Sequence, residues 1–360
     1  MIFSKRYLLP FRTIIPNNVK QQLNSETLSH KLKEYWCLLR REMYLFVSGQ
    51  KRLERRAIPL GAKKILWLAP SIRNIGDAIM GFSGRTLFIG EYQVDILLDA
   101  KVKSLFTNDD IFKHVYTSAK EITESYDLII LDSVKSISLK TKKRYFSRIP
   151  YCHFRGHFDG IEFNWTLFSY HRINALLNYP YQQSALDALA KPHLVSQKSK
   201  SLPYFDLAIA VGGEDIQRRT YNQWGKVVQM LLQVVPSLKI VLLGNQNGYA
   251  TAIELTNSFS VNITNFVAKS TLVEALQLIE NSRLFLGCDG GLMHIAVAFD
   301  KPGVALFGHF ESQYRLPLNI KISALFDGAS VNLIEPQQVV DCLIAQFAPV
   351  NLQSNGGVNG

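Results

Sequence analysis

The sequence has no run of about 18 apolar residues, the length a membrane-spanning helix requires, so no span is expected. Its first residues, Met1 to Pro16, are broken by Lys5, Arg6, Pro10 and Arg12. That pattern argues against a secretory leader and makes the cytoplasm the expected location. Cysteine is scarce: Cys37, Cys152, Cys288 and Cys342 stand far apart without CxxC spacing. A disulfide framework and a cysteine metal site are thereby excluded, and the thiols read as buried. No short internal repeat is visible. Acidic residues are few at the start, where residues 1–64 hold 4 Glu against 14 Lys and Arg. The remaining residues hold 25 Asp and Glu against 26 Lys and Arg, so the formal net charge of +11 belongs to the N-terminal segment. The near-neutral remainder lacks the electrostatic footprint of a nucleic-acid binder.

What is present suits an α/β protein. The chain has 360 residues, 47% of them hydrophobic, enough for two domains of ordinary size. Leu28, Leu32, Tyr35, Trp36, Leu39, Met43 and Phe46 recur at helical spacing among many basic residues. Residues 1–62 are therefore expected to form a basic amphipathic helical extension. Such a helix suits an anionic membrane surface; the alternative is a helix docked on the globular body with solvated charges. From residue 63 to 190, apolar runs at Lys64–Pro70, Val94–Leu98 and Tyr126–Asp132 alternate with a helix over Gly76–Phe88 and less regular material. Residues 191–204 read as a linker. Residues 205–348 repeat the alternation, with strands at Phe205–Val211, Lys239–Leu243 and Val261–Val267 and a helix over Asn222–Val235. Thr271 and Glu274 form a capping box. Residues 349–360 are expected to be a disordered tail. The whole predicts parallel sheets with helices on both faces.

The most informative stretch is Arg283–Gly308. Leu284–Gly287 is one short strand, Asp289 an N-cap type residue, Leu292–Phe299 a helix and Val304–Phe307 a second strand. Gly290 and Gly291 at the helix mouth let a ligand approach the backbone. The free N–H groups and the helix dipole there favour a phosphate, and His294 lies in the same turn. The competing reading is an ordinary crossover whose glycines only pack helix on strand.

The segment Asp289-Gly290-Gly291-Leu292-Met293-His294-Ile295-Ala296, followed by Pro302 and Ala305-Leu306-Phe307-Gly308, resembles the signature of family 9 glycosyltransferases, the ADP-heptose:lipopolysaccharide heptosyltransferases. Gly290 stands where that pattern has Ser or Thr, and His309-Phe310 where it has Pro-Thr. The resemblance implies the GT-B architecture, two Rossmann-like domains facing a cleft. It implies an inverting, metal-independent transfer with no cofactor beyond the nucleotide-sugar donor. Residues 63–190 would form the acceptor domain and residues 205–348 the nucleotide-sugar domain.

The same resemblance places roles on residues. Ser71–Asp77, SIRNIGD, is similar to the family's S-x-G-D motif, which makes Asp77 the expected general base, with Asn74 and Gly76 near the acceptor. Met80 stands where the family often has His or Thr. Gly212, Gly213, Gly244, Asp289, Gly290, Gly291, Leu292, Met293 and His294 are expected around the donor. Arg218 or Arg219 would meet its diphosphate, with Trp224 as the helix aromatic, though the family's W-P is replaced by Thr220-Tyr221. Gln246-Asn247 occupies the place of an acidic residue. Arg144, Arg148, His153, Arg155, His157, His171 and Arg172 read as a cationic region suited to phosphates or carboxylates of an acceptor, of which Arg148, Arg155 and His171 are the chosen contacts. Their histidine spacing does not suggest a metal site.

The expected activity is heptose transfer from ADP-heptose to a lipid-linked core oligosaccharide at the cytoplasmic face of the inner membrane. The expected partners are the nucleotide sugar, the lipid-linked acceptor and an anionic membrane surface, without nucleic acid. Two alternatives stay open: a family member using another nucleotide sugar, and a non-catalytic sugar- or membrane-binding relative.

Overall fold

The computed structural model describes residues 28–90, 92–155, 164–196, 202–213, 220–308 and 310–347. The expected tail and the start of the extension lie outside the described residues. The chain divides into two compact units, residues 1–195 and 196–360.

Among its described residues, the N-terminal unit contains helix α1 (Leu28–Val47), strand β1 (Glu54–Arg55), β2 (Lys64–Ala69), helix α2 (Ile75–Gly81), β3 (Gln93–Leu98), β4 (Phe112–Tyr116), β5 (Leu128–Leu131), α3 (Ser136–Tyr145), β6 (Tyr151–His153), α4 (Trp165–Leu177) and α5 (Gln183–Leu189). The six strands form one sheet in the order β1-β6-β5-β2-β3-β4, every pair parallel. β2 reads KILWLA and buries all but its first residue, as a strand covered on both faces should. Trp67 is its anchor, meeting Phe154 at 4.8 Å and Phe82 at 5.3 Å edge to face.

The extension belongs to this unit. Leu45 is buried in the core with Leu66, Leu68, Ile129 and Leu131. Gln50 accepts a 2.6 Å hydrogen bond from Lys142 Nζ and donates to the Ser147 carbonyl at 3.1 Å. β1 then adds the sixth strand beside β6. Yet Leu32, Trp36, Met43 and Phe46, four of the residues whose spacing marks the helix, are exposed. The helix docks by Leu45, a residue off its apolar stripe, and these four stay uncovered.

The helix expected over Gly76–Phe88 is shorter than its sequence suggests. α2 ends at Gly81 and a 3-10 turn spans Ser83–Leu87. Gly84 sets this break, since its N–H bonds Ser169 Oγ at 2.9 Å and a Cβ there would fall against the Ser169 backbone.

The C-terminal unit contains β7 (Phe205–Ala210), α6 (Trp224–Val234), β8 (Ile240–Leu243), α7 (Tyr249–Ser258), β9 (Ile263–Asn265), α8 (Leu272–Glu280), β10 (Ser282–Cys288), α9 (Gly291–Ala298), β11 (Gly303–Phe307), β12 (Ile322–Phe326) and α10 (Pro336–Phe347). Its sheet runs β12-β11-β10-β7-β8-β9, again all parallel. Trp224 and Tyr221 pack edge to face at 5.0 Å in its core. The Thr271–Glu274 capping box is formed in both directions. Each unit is thus a doubly wound parallel sheet.

Candidate active site

In an open α/β sheet, ligands bind beyond the carboxyl ends of the strands, where the strand order reverses. In the N-terminal unit the reversal falls between β2 and β5. Ser71 follows β2, Ser133 follows β5, and their hydroxyls are 3.3 Å apart. α2 begins here, with Asn74 as an extended N-cap residue whose side chain makes no capping bond. Asn74 Nδ2 instead donates to Asp77 Oδ2 at 3.1 Å. Asp77 is half-buried in the first turn, so it does not occupy the cap. Gly76 lies beside it, also half-buried. Met80 is buried and packs the core.

Asp132, fully buried at the end of β5, receives Arg155 Nε at 3.1 Å, with a second contact from Nη2 at 3.1 Å. The Arg155 guanidinium lies 4.8 Å over the Trp165 ring. Arg155 is therefore held beside the switch point. Neither Asp132 nor Trp165 was singled out from sequence; the available signal was the position of Asp132 at a buried strand's end.

The rest of the expected cationic region comes apart. His171 is buried, and its Nε2 lies 2.6 Å from Asp187 Oδ1. This corrects its assignment as an acceptor contact: α4 turns it into the unit and pairs it with α5. Arg172 donates to the carbonyls of His153 and Phe154. Burial pulls its pKa below the usual guanidinium value. His153 faces Glu54 at 3.7 Å. Arg148 is exposed, and His157 lies outside the described residues. No cluster of three or more His, Cys, Asp or Glu able to hold a metal occurs among the described residues.

In the C-terminal unit the reversal falls between β7 and β10. The Gly212-Gly213 pair follows one strand, and Asp289-Gly290-Gly291 the other. Gly212 is glycine for packing: a Cβ would fall against the backbone N of Gly248. Gly244 has φ +149, a backbone setting that side chains rarely adopt, and a Cβ there would lie 3.0 Å from the Gly212 N. The Gly213 carbonyl accepts from Asn247 Nδ2 at 2.9 Å. Arg218 and Arg219 lie outside the described residues.

Gly290 differs. Its backbone is extended, at φ −178 and ψ 179, which any residue adopts. A Cβ there would meet only the Cys288 carbonyl oxygen, at 3.7 Å. Neither conformation nor packing requires glycine at this place. Gly290, rather than Asp289, is the N-cap of α9. The first bond of the helix runs from His294 N–H to the Gly290 carbonyl at 3.3 Å. The N–H groups of Gly291, Leu292 and Met293 precede it and emerge from the helix end, an arrangement that favours an anion. The Met293 side chain is fully buried, so it would meet a donor through its backbone N–H.

Asp289 and His294 are both buried, with His294 Nε2 4.0 Å from Asp289 Oδ1. Arg315, which sequence reading passed over, brings its Nε within 3.8 Å of Asp289 Oδ2.

The model of the family described as glycosyltransferase family 9 (heptosyltransferase) matches residues 161–332, a span that includes this second switch point. The lipooligosaccharide heptosyltransferase 2 of Haemophilus influenzae is 26% identical over 247 residues, 58% of this chain and 68% of that protein. Among solved structures, the E. coli ADP-heptose LPS heptosyltransferase II is similar over 80% of this chain and 99% of its own, at a TM-score of 0.58 and 18% identity. A glycosyl transferase family 9 protein from Veillonella parvula is similar over 81% of this chain and 99% of its own, at a TM-score of 0.67 and 12% identity. The two structural likenesses establish the fold.

Proposed function

We propose that this chain is a member of glycosyltransferase family 9 and transfers a heptose from ADP-heptose to a lipopolysaccharide or lipooligosaccharide core acceptor. The observation that carries the reading is the N-terminus of α9. Its three leading N–H groups follow a residue where no packing demands glycine, inside the segment the family model matches.

In this reading residues 63–190 handle the acceptor and residues 205–348 the donor. An acceptor hydroxyl attacks the anomeric carbon of the sugar. The C–O bond to the diphosphate breaks, and configuration inverts. Asp77 takes the hydroxyl proton as the new bond forms, and Asn74 holds its carboxylate in place. The leaving ADP carries away the bonding pair. The α9 N–H groups, with Arg218 or Arg219, stabilise the charge on its diphosphate.

A second reading keeps the reaction and changes the nucleotide. Its support is Asn247, which stands near the place of the family's acidic residue and is bonded to the Gly213 carbonyl. Purified enzyme should be offered ADP-, UDP- and GDP-sugars and a delipidated core acceptor, with Asp77→Asn alongside. Turnover with ADP-heptose that Asp77→Asn abolishes supports the first reading. Turnover with only a UDP- or GDP-sugar selects the second. Donor binding without any turnover by the wild type would leave a non-catalytic relative.

We also propose that the protein works at the cytoplasmic face of an anionic membrane, held there peripherally. No described helix is long and apolar enough to cross a membrane. The support for surface attachment is the uncovered face of Leu32, Trp36, Met43 and Phe46 on α1, within the segment that carries most of the net positive charge.

A further inference from the structure

Arg315 lies just past the 3-10 turn Ser312–Tyr314, in the connection between β11 and β12. It is 7% exposed, and its Nε is buried without a hydrogen-bond partner. The Phe310 ring covers its guanidinium at 5.0 Å. The nearest opposite charge is Asp289 Oδ2, 3.8 Å from Nε. Burying a guanidinium is costly unless a counter-charge offsets it, and a loosely satisfied buried cation calls for a reason.

Asp289 supplies one. It directly follows β10, two residues before the α9 N–H groups, and it is itself only 7% exposed. A bare carboxylate there would repel the diphosphate that the helix end is suited to hold, and low dielectric would strengthen the repulsion. His294, on the other side of the carboxylate at 4.0 Å, carries charge only when protonated. A guanidinium, in contrast, brings a permanent positive charge.

We propose that Arg315 is a positioning residue that neutralises Asp289, so that the C-terminal switch point presents no net negative charge to a diphosphate. The inference rests on the donor reading given above. It also joins two features: Phe310, a departure from the family pattern, is the aromatic cover of the arginine.

The experiment is a double-mutant cycle on the full chain with Arg315→Met, Asp289→Asn and the pair together, plus Arg315→Lys. Thermal melts read the ion pair itself. Arg315→Met is expected to lower the melting temperature by several degrees, and adding Asp289→Asn is expected to recover at least half of the loss. Additive losses would overturn the pairing, whatever the donor. Calorimetry with ADP reads the consequence. Arg315→Met should weaken ADP at least tenfold, adding Asp289→Asn should recover at least threefold of that loss, and Arg315→Lys should lose less than Arg315→Met. A double variant as weak as Arg315→Met would mean that the arginine contacts the phosphates directly, and the neutralising role would be wrong. A wild type that binds no ADP would remove the donor reading, and the melts alone would then decide the pair.

Discussion

Asp77 and Lys142 show how differently two polar side chains can be used in one unit. Asp77 is half-buried in the first turn of α2, with one oxygen tied to Asn74 Nδ2 at 3.1 Å. Removing a general base commonly costs ~10²–10⁴ in rate. Asp77→Asn is therefore expected to lower kcat by that order while donor affinity stays within a few-fold. Near-normal turnover in the purified variant would remove Asp77 from the chemistry. Lys142 is buried between Gln50 and the Tyr151 ring, and burial lowers its pKa to about 8. Its ordinary value is 10.5, so between about pH 8 and 10 the unfolded chain binds the extra proton. The destabilisation from Lys142 is full below pH 8 and is relieved as pH rises through that window. Melting temperature should accordingly carry a rising component between pH 8 and 10 that Lys142→Met abolishes. An identical pH profile in the variant would contradict this.

At the scale of elements, the buried parallel strands were the legible part. Lys64–Ala69, Phe205–Ala210 and Ser282–Cys288 are apolar runs because both faces of each sheet are covered. The edge strands β1 and β12 gave no such signal. β12 exposes three of its five residues, and β1 has only two. The site was legible where backbone chemistry marks it, at the glycines beyond β7 and β10. It was illegible where it depends on burial: His171 and Arg172 look like surface cations in sequence, whereas His171 is buried and Arg172 is half-buried on the His153 and Phe154 carbonyls. Arg315 had no marker, since only the fold brings it to Asp289. The glycines themselves separate into two kinds. Gly212→Ala forces a Cβ onto the Gly248 backbone and should cost about 1–3 kcal/mol, as overpacking does. Gly290→Ser meets no such obstacle, and serine is a good N-cap. Its denaturation midpoint should equal or exceed that of wild type, so a marked loss at Gly290→Ser, or none at Gly212→Ala, would show the distinction to be false.

For the whole molecule, the extension is both part of the fold and an uncovered surface. Deleting it would confound the two, because Leu45 and β1 would leave with the apolar stripe. Point variants separate them. Leu45→Ala should destabilise the protein by about 2–5 kcal/mol, as leucine truncations in cores do. Trp36→Ser with Phe46→Ser should leave the melt unchanged, since both residues are exposed. That pair should nonetheless reduce co-sedimentation with anionic vesicles and slow transfer to a membrane-bound acceptor, sparing a delipidated one. High salt should weaken the attachment in part, by screening. Vesicle binding that ignores both the pair and the salt would refute the membrane reading.

The seating of β1 beside β6 also sets a timetable. Gln50 and its partner Ser147 are 97 residues apart in the chain, and β1 pairs with Tyr151 and Cys152. At a synthesis rate of about 5–20 residues per second, the extension emerges roughly 5–20 s before its docking site exists. During that interval the nascent helix has Leu45 and its apolar stripe available together. A ribosome translating this message thus exposes this basic segment before the strand and turn that seat it. Slower codons between residues 56 and 150 would lengthen the exposure, and faster ones would shorten it.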